Sequence, residues 1–149
     1  MRDRAASLGA VLLWVFAFSY VFNFVWESLH AAFLYERHAS FMAVKYVRMV
    51  VYVSAIDGAL IVGIYFMVML LWRDMLWICS MGGKHLSAVF IAGLAIAFLI
   101  EYRKVFLLGA WSYTPLMPTL FGIGLSPLLQ LSVTGAAAFW LTRRMLCRR

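Results

Sequence analysis

The chain predicts an all-α, polytopic membrane protein, a four-transmembrane-helix bundle, and three observations carry that prediction. Of its 149 residues 66% are apolar and only 13% charged, where soluble domains carry about 25% charged residues; the mean hydropathy is +0.93. The apolar residues gather into four runs long enough to cross a hydrocarbon core of about 30 Å. The basic residues behind the net charge of +7 sit in small groups at the ends of those runs, as anchors at lipid headgroups do, so nucleic-acid binding is not expected. Four spans and short loops use up the length, leaving one integral membrane domain over residues 1–149.

The first span covers residues 8–35. Arg2 and Arg4 before it imitate a signal peptide, but the run continues past the usual ~7–15 residues without a small-x-small cleavage site, so it reads as a retained span. Inside it Asn23, Glu27 and His30 fall at i, i+4 and i+7, which puts all three on one helix face, with Trp26 alongside. A lipid-facing carboxylate costs roughly 2.5–3.5 kcal/mol on insertion scales, so that face should meet protein or a wet cavity. A polar connection with Glu36, Arg37, His38, Lys45 and Arg48 leads to the second span, residues 46–72, which contains Asp57 and ends at Arg73-Asp74. Residues 75–85, with Trp77 and Gly82-Gly83, read as an interfacial loop in which His85, like His38 earlier, is expected to be solvated.

The third span, residues 86–108, contains Glu101 and is followed by a turn-rich aromatic segment with Trp111, Tyr113, Pro115 and Pro118. The fourth, residues 120–142, is interrupted by Gly122, Gly124 and Pro127. Ser126-Pro127 resembles an N-cap followed by proline at the first helical position. A helix starting there has about 16 residues, or about 24 Å, less than a full core, so residues 115–126 would re-enter the membrane as irregular backbone against protein or water. The alternative is one continuous helix kinked at Pro127.

Eight lysines and arginines flank the amino terminus, the second loop and the tail (Arg2, Arg4, Arg73, Lys84, Arg143, Arg144, Arg148, Arg149), against five on the other side. Both termini are therefore expected in the cytoplasm, with the protein in a plasma membrane of the prokaryotic inner-membrane kind. Cys79 and Cys147 have neither metal-ligand spacing nor an apparent partner, and no disulfide is expected.

Three of the six acids lie inside spans, and counting from the span ends places Glu27, Asp57 and Glu101 roughly 10–16 Å below the non-cytoplasmic boundary. Gly93, Ala97 and Glu101 form a small-residue stripe that admits a neighbouring helix, and Ser126, Gln130 and Thr134 form a polar stripe on the fourth. The expected site is thus Glu27, Asp57, Glu101 and His30 as acid–base groups, with Asn23, Trp26, Trp111, Tyr113 and Gln130 around the ligand. Burying several like charges calls for a proton, a metal or a ligand to compensate. The plain alternative is that these groups are helix-to-helix glue, that Glu101 pairs with Lys104, and that Trp111 and Tyr113 belong to the interfacial aromatic belt.

Other signals are weaker. Nine methionines without regular spacing read as packing. Glu27-x-x-His30 matches the element of di-metal carboxylate bundles, which need it on two helices, and it occurs once. The expectation is no cofactor, or else a single divalent metal on Glu27, His30, Asp57 and Glu101. Nucleophile-elbow, phosphate-loop and dinucleotide motifs are missing.

Trp111-Ser-Tyr113-Thr-Pro115, followed by Gly122-Ile-Gly124 and Pro127-Leu-Leu-Gln130, resembles a segment of the lycopene cyclase domain proteins of carotenoid synthesis, small polytopic membrane proteins. Where that family carries an acidic pair after the proline, this chain carries Leu129 and Gln130. The resemblance covers about a sixth of the chain and implies a bundle that handles isoprenoids and whose acids protonate or stabilise cationic carbon centres, an isomerase or cyclase. Three functions follow as expectations. One is acid–base chemistry on a lipid-soluble molecule entering from the bilayer. The others are a proton- or cation-coupled binding or transport module, acting as a homo-oligomer, and an accessory subunit of a larger membrane complex.

Overall fold

The computed structural model describes residues 7–36 and 42–147. Among the described residues four helices are long and apolar enough to span a membrane: α1 (Leu8–Phe33), α2 (Ala43–Trp72), α3 (Gly83–Tyr102, prolonged by a π-helical turn, Arg103–Leu107) and α4 (Leu125–Leu146). They form a bundle in which α1 packs on α2 and α4, and α3 packs chiefly on α4.

Helix α1 starts where Ser7 accepts a hydrogen bond from the Ala10 N–H at 3.2 Å, satisfying one of the orphan donors of the first turn. Its buried stripe, Val11, Val15, Ser19 and Asn23, repeats every four residues, while Leu13, Val21, Val25, Leu29 and Phe33 face outward. Lipid tails are as apolar as leucine, so helix contact here depends on small residues that let backbones approach. Gly58 is one, packed on Phe16. Gly93 is the tighter: a Cβ there would lie 2.5 Å from Ser132 Oγ and 2.8 Å from the Ser132 backbone nitrogen. The small-residue stripe of the third span does meet the fourth helix.

The α2–α3 connection departs from the expected interfacial loop. Trp77 and Ile78 are fully buried, folded back under the bundle against Tyr65 and Phe139. Trp77 Nε1 donates to the Tyr65 carbonyl at 3.2 Å and the Tyr65 hydroxyl to the Met75 carbonyl at 2.6 Å. His85 is not solvated: it lies buried in the first turn of α3 between the rings of Trp72 and Trp77, and its Nδ1 accepts from Gly82 N–H at 3.1 Å. His38 lies outside the described residues. The expectation of unpaired cysteines is also overturned. Cys79 and Cys147 form a disulfide, because the loop and the end of α4 converge to a Cα–Cα distance of 5.3 Å across 68 residues of sequence.

The fourth span is corrected too. Helix α4 is not kinked at Pro127 and is not capped by Ser126. It begins at Leu125 with Gly124 as N-cap, so Pro127 occupies the first turn, where its missing N–H costs nothing. It also continues past Arg143 and Arg144 to Leu146, 22 residues or about 33 Å, a full crossing rather than a short half-helix. Ahead of it β1 (Thr119–Leu120) and β2 (Ile123–Gly124) make a small antiparallel hairpin. Its two loop residues, Phe121 and Gly122, both have positive φ (51° and 79°), the conformation that a tight two-residue turn demands. Gly122 also leaves room for Phe106, whose ring tip lies where a Cβ would be crowded at 3.0 Å.

Candidate functional site: a carboxylate cavity beneath an aromatic roof

The polar layer has two halves, each organised by a different residue. In the first, Gln130 reaches from the start of α4 into the space between α1 and α2. Its Nε2 lies 3.0 Å from Asn23 Oδ1, 2.8 Å from Glu27 Oε1 and 3.0 Å from Asp57 Oδ2. The other groups hold this arrangement in place. Asn23 Nδ2 donates to the Ser19 carbonyl at 2.8 Å. The Thr134 hydroxyl lies 2.7 Å from the Gln130 carbonyl and 3.3 Å from Asn23 Oδ1. Asn23, Asp57, Gln130 and Thr134 are buried, and Glu27 is partly so.

In the second half Glu101 is ringed by donors. Just beyond it α3 loosens into the π-helical turn, closed by Leu108 N–H to the Arg103 carbonyl at 3.0 Å, and the chain reverses as Ala110 N–H bonds the Lys104 carbonyl at 2.8 Å. That reversal carries Trp111 and Tyr113 back over the carboxylate. Tyr35 donates to Glu101 Oε1 at 3.1 Å, and the Tyr113 hydroxyl and Trp111 Nε1 (3.4 Å) both donate to Oε2. Lys104 does not serve as the partner proposed for Glu101; its ammonium lies over the Trp111 ring, 5.4 Å from the centroid.

This roof is bolted to the end of α1. Glu36 N–H bonds the Ser112 carbonyl at 3.2 Å, Thr114 N–H the Leu34 carbonyl at 3.0 Å, and the Thr114 hydroxyl the Phe33 carbonyl at 2.9 Å. The Ser112 hydroxyl adds a bond to the Glu36 carboxylate at 2.7 Å. Burial pushes both roof phenols above the ordinary tyrosine range; the Glu101 charge adds to this at Tyr35, and the hydrogen bond to Glu101 at Tyr113. Both therefore stay protonated donors at any physiological pH.

The two halves face one cavity of about 110 Å³. Glu27, Asp57, Glu101, His30, Gln130 and Trp111 all line it, together with Tyr35, Ala97 and Pro127, and the described residues lining it include no lysine or arginine. The structure therefore brings together the three carboxylates, His30, Gln130 and Trp111, with Asn23 and Tyr113 one hydrogen bond behind. Trp26 is placed elsewhere, on an apolar groove of about 560 Å³ between α1 and α4, with Phe22, Leu29, Phe33, Val133 and Ala137. His30 lines both spaces, and Thr134, which lines the groove, bonds to the Gln130 cluster. As to the expected metal set, among the described residues no group of three or more His, Cys, Asp and Glu side chains is placed to hold an ion.

Two members went unselected in the sequence. Tyr35 looked like the end of a span, and only its position before Glu36, at a helix terminus, hinted that it folds inward. Thr134 stood on the polar stripe of the fourth helix four residues after Gln130, a signal that was present. Comparison of the chain with models of known protein families, with characterised proteins and with solved structures finds no match in any of the three.

Proposed function

We propose that this integral membrane protein performs acid–base chemistry on a lipid-soluble, isoprenoid-like molecule that enters from the bilayer along the α1–α4 groove. The observation that carries the reading is that His30 forms part of the wall of both the apolar groove and the carboxylate cavity, so a chain lying in the groove has its end at the acids. The environments of the acids divide the labour. Glu101, with both oxygens occupied by three donors, is the fixed anion that steadies positive charge developing on the substrate. Glu27 and Asp57 share a single amide donor and are the pair that hands over and takes back a proton, with His30 beside them. The resemblance of residues 111–130 to lycopene cyclase domain proteins agrees with the aromatic part of this assignment, since that segment supplies Trp111 and Tyr113.

The test compares the lipid-soluble extract of membranes making the wild-type protein with those making Glu27→Gln, Glu101→Gln or both, by mass spectrometry. A substrate–product pair should appear with the wild type and be absent from the double variant, while each variant still yields a folded, detergent-extractable protein. An unchanged pair in the double variant would end the reading. The excess of acceptors around Gln130 favours a second reading, a module that takes up and releases a proton across the membrane; pH-dependent flux into liposomes, lost in Asp57→Asn, would select it. The distribution of basic residues supports cytoplasmic termini, and with them a cavity opening toward the opposite side.

A further inference from the structure

We infer that the ligand of this site carries an ammonium head: a long-chain primary amine, its charged end in the cavity and its hydrocarbon in the α1–α4 groove. The inference rests on the reading of groove and cavity as one ligand site, and adds the chemistry of the head group. Three features specify it. Glu27, Asp57 and Glu101 all line the cavity and, among the described residues, no lysine or arginine does, so the charge the site can accept is positive. Around Gln130 two N–H bonds face three acceptor oxygens at 2.8–3.0 Å, leaving a shortage of donors that the three N–H bonds of a primary ammonium would relieve. The rings of Tyr35 and Trp111, centroids 5.6 Å apart, form part of the cavity wall and give it an aromatic side suited to a desolvated cation. A cavity of about 110 Å³ accommodates a small head and no more, whereas the neighbouring groove, about 560 Å³ and walled by Phe22, Trp26, Leu29 and Phe33, is built for a chain. A carboxylate or phosphate head would meet three acids and is excluded by the same charge.

The experiment uses the full-length protein in nanodiscs of uncharged phosphatidylcholine, titrated at pH 7 with dodecylamine, dodecanol and dodecanoic acid, and read by the fluorescence of the tryptophans, two of which line the groove and cavity. Dodecylammonium should bind saturably, and more tightly than dodecanol by roughly tenfold or more, the increment expected of one charge-assisted hydrogen bond; dodecanoate should not bind. Asp57→Asn and Glu27→Gln should each erase most of that preference, read as the ratio of amine to alcohol affinity within each variant. Equal affinity for alcohol and amine, or a preference intact in both variants, would overturn the proposal. Should the variants fail to fold, the comparison of the three ligands on the wild type decides alone. The outcomes also separate from the acid–base reading. A protein that ignores the amine yet converts an isoprenoid retains the chemistry and loses this inference, and one that holds the amine and converts nothing does the reverse.

Discussion

The two ends of the bundle use the same residue types for opposite purposes. At the end with Trp77, Tyr65, Phe139 and His85, each polar tip is bound to backbone: Trp77 Nε1 to the Tyr65 carbonyl, the Tyr65 hydroxyl to the Met75 carbonyl, His85 Nδ1 to an N–H at the start of its own helix. Rings pack edge to face and at a tilt against one another, Arg143 ties α4 to the Met81 carbonyl at 2.9 Å, and the disulfide closes the loop. At the other end Trp111, Tyr113 and Tyr35 direct their donors at the side-chain carboxylate of Glu101, and the groups around it surround a cavity. An aromatic residue whose tip is bound to backbone fixes the chain, whereas one bound to a buried carboxylate fixes a charge. One end closes on itself, and the other keeps a cavity lined by acids.

The strongest way to break this contrast is Trp77→Ala. Removing a fully buried indole should cost about 3–5 kcal/mol, seen as a large fall in the thermal melting temperature, with amine binding at the far end intact below the new midpoint. A variant that melted normally but lost binding would reverse the assignment of the two ends. Next is the double change Cys79→Ser/Cys147→Ser, which frees the α2–α3 loop from the end of α4 and should cost about 2–4 kcal/mol, again with the site spared. This pair also tests the topology. On the proposed orientation that end lies in the reducing cytoplasm, where a disulfide persists only as a redox-responsive one. Thiol alkylation in acid-quenched cells should then trap a mixed population, whereas complete oxidation would put this end on the oxidising side.

Gln130→Leu should show the opposite pattern. It removes the shared donor from Glu27, Asp57 and Asn23, and should lower stability by about 1–3 kcal/mol and cut turnover on the proposed reading, while the preference for the amine is kept or strengthened because the acceptors left bare gain most from an ammonium. A loss of stability as large as that of Trp77→Ala, with function kept, would make Gln130 helix glue after all.

How much of this was legible follows the same division. The four spans and the acids of the layer could be read because helical periodicity and depth are local arithmetic: Asn23 and Glu27 share a face wherever the helix goes, and Asp57 and Glu101 follow from counting inward. Gln130 was visible on the polar stripe of its helix. What stayed hidden depends on chain reversals that no period encodes. The π-helical turn after Tyr102 returns Trp111 and Tyr113 to Glu101, and the loop folding Trp77 inward looked interfacial because tryptophan beside Gly82-Gly83 usually is. Leu120 to Ile123 read as part of an apolar run, although Phe121-Gly122 makes a hairpin of it. The cysteines gave no hint of pairing, being 68 residues apart.

The smallest effect, and the finest probe of the roof, is Tyr113→Phe. One of three donors to Glu101 disappears, the ring stays, and the expected cost is about 1 kcal/mol with turnover reduced rather than lost. The alkaline limb of the stability curve then separates a structural phenol from a bystander. Burial raises the Tyr113 and Tyr35 phenols above their unfolded value near 10, so between that value and the folded one the unfolded chain has released protons that the folded one keeps. Their stabilising contribution is complete below about pH 10 and is lost as pH rises beyond it. Removing one phenol should make that alkaline decline shallower by one proton, and the double change Tyr35→Phe/Tyr113→Phe by two. Melting temperatures recorded from pH 9 to the alkaline limit of the detergent would measure the slopes. Equal slopes in all three proteins would mean that the roof phenols ionise as freely folded as unfolded, and that Glu101 is not held beneath two neutral donors.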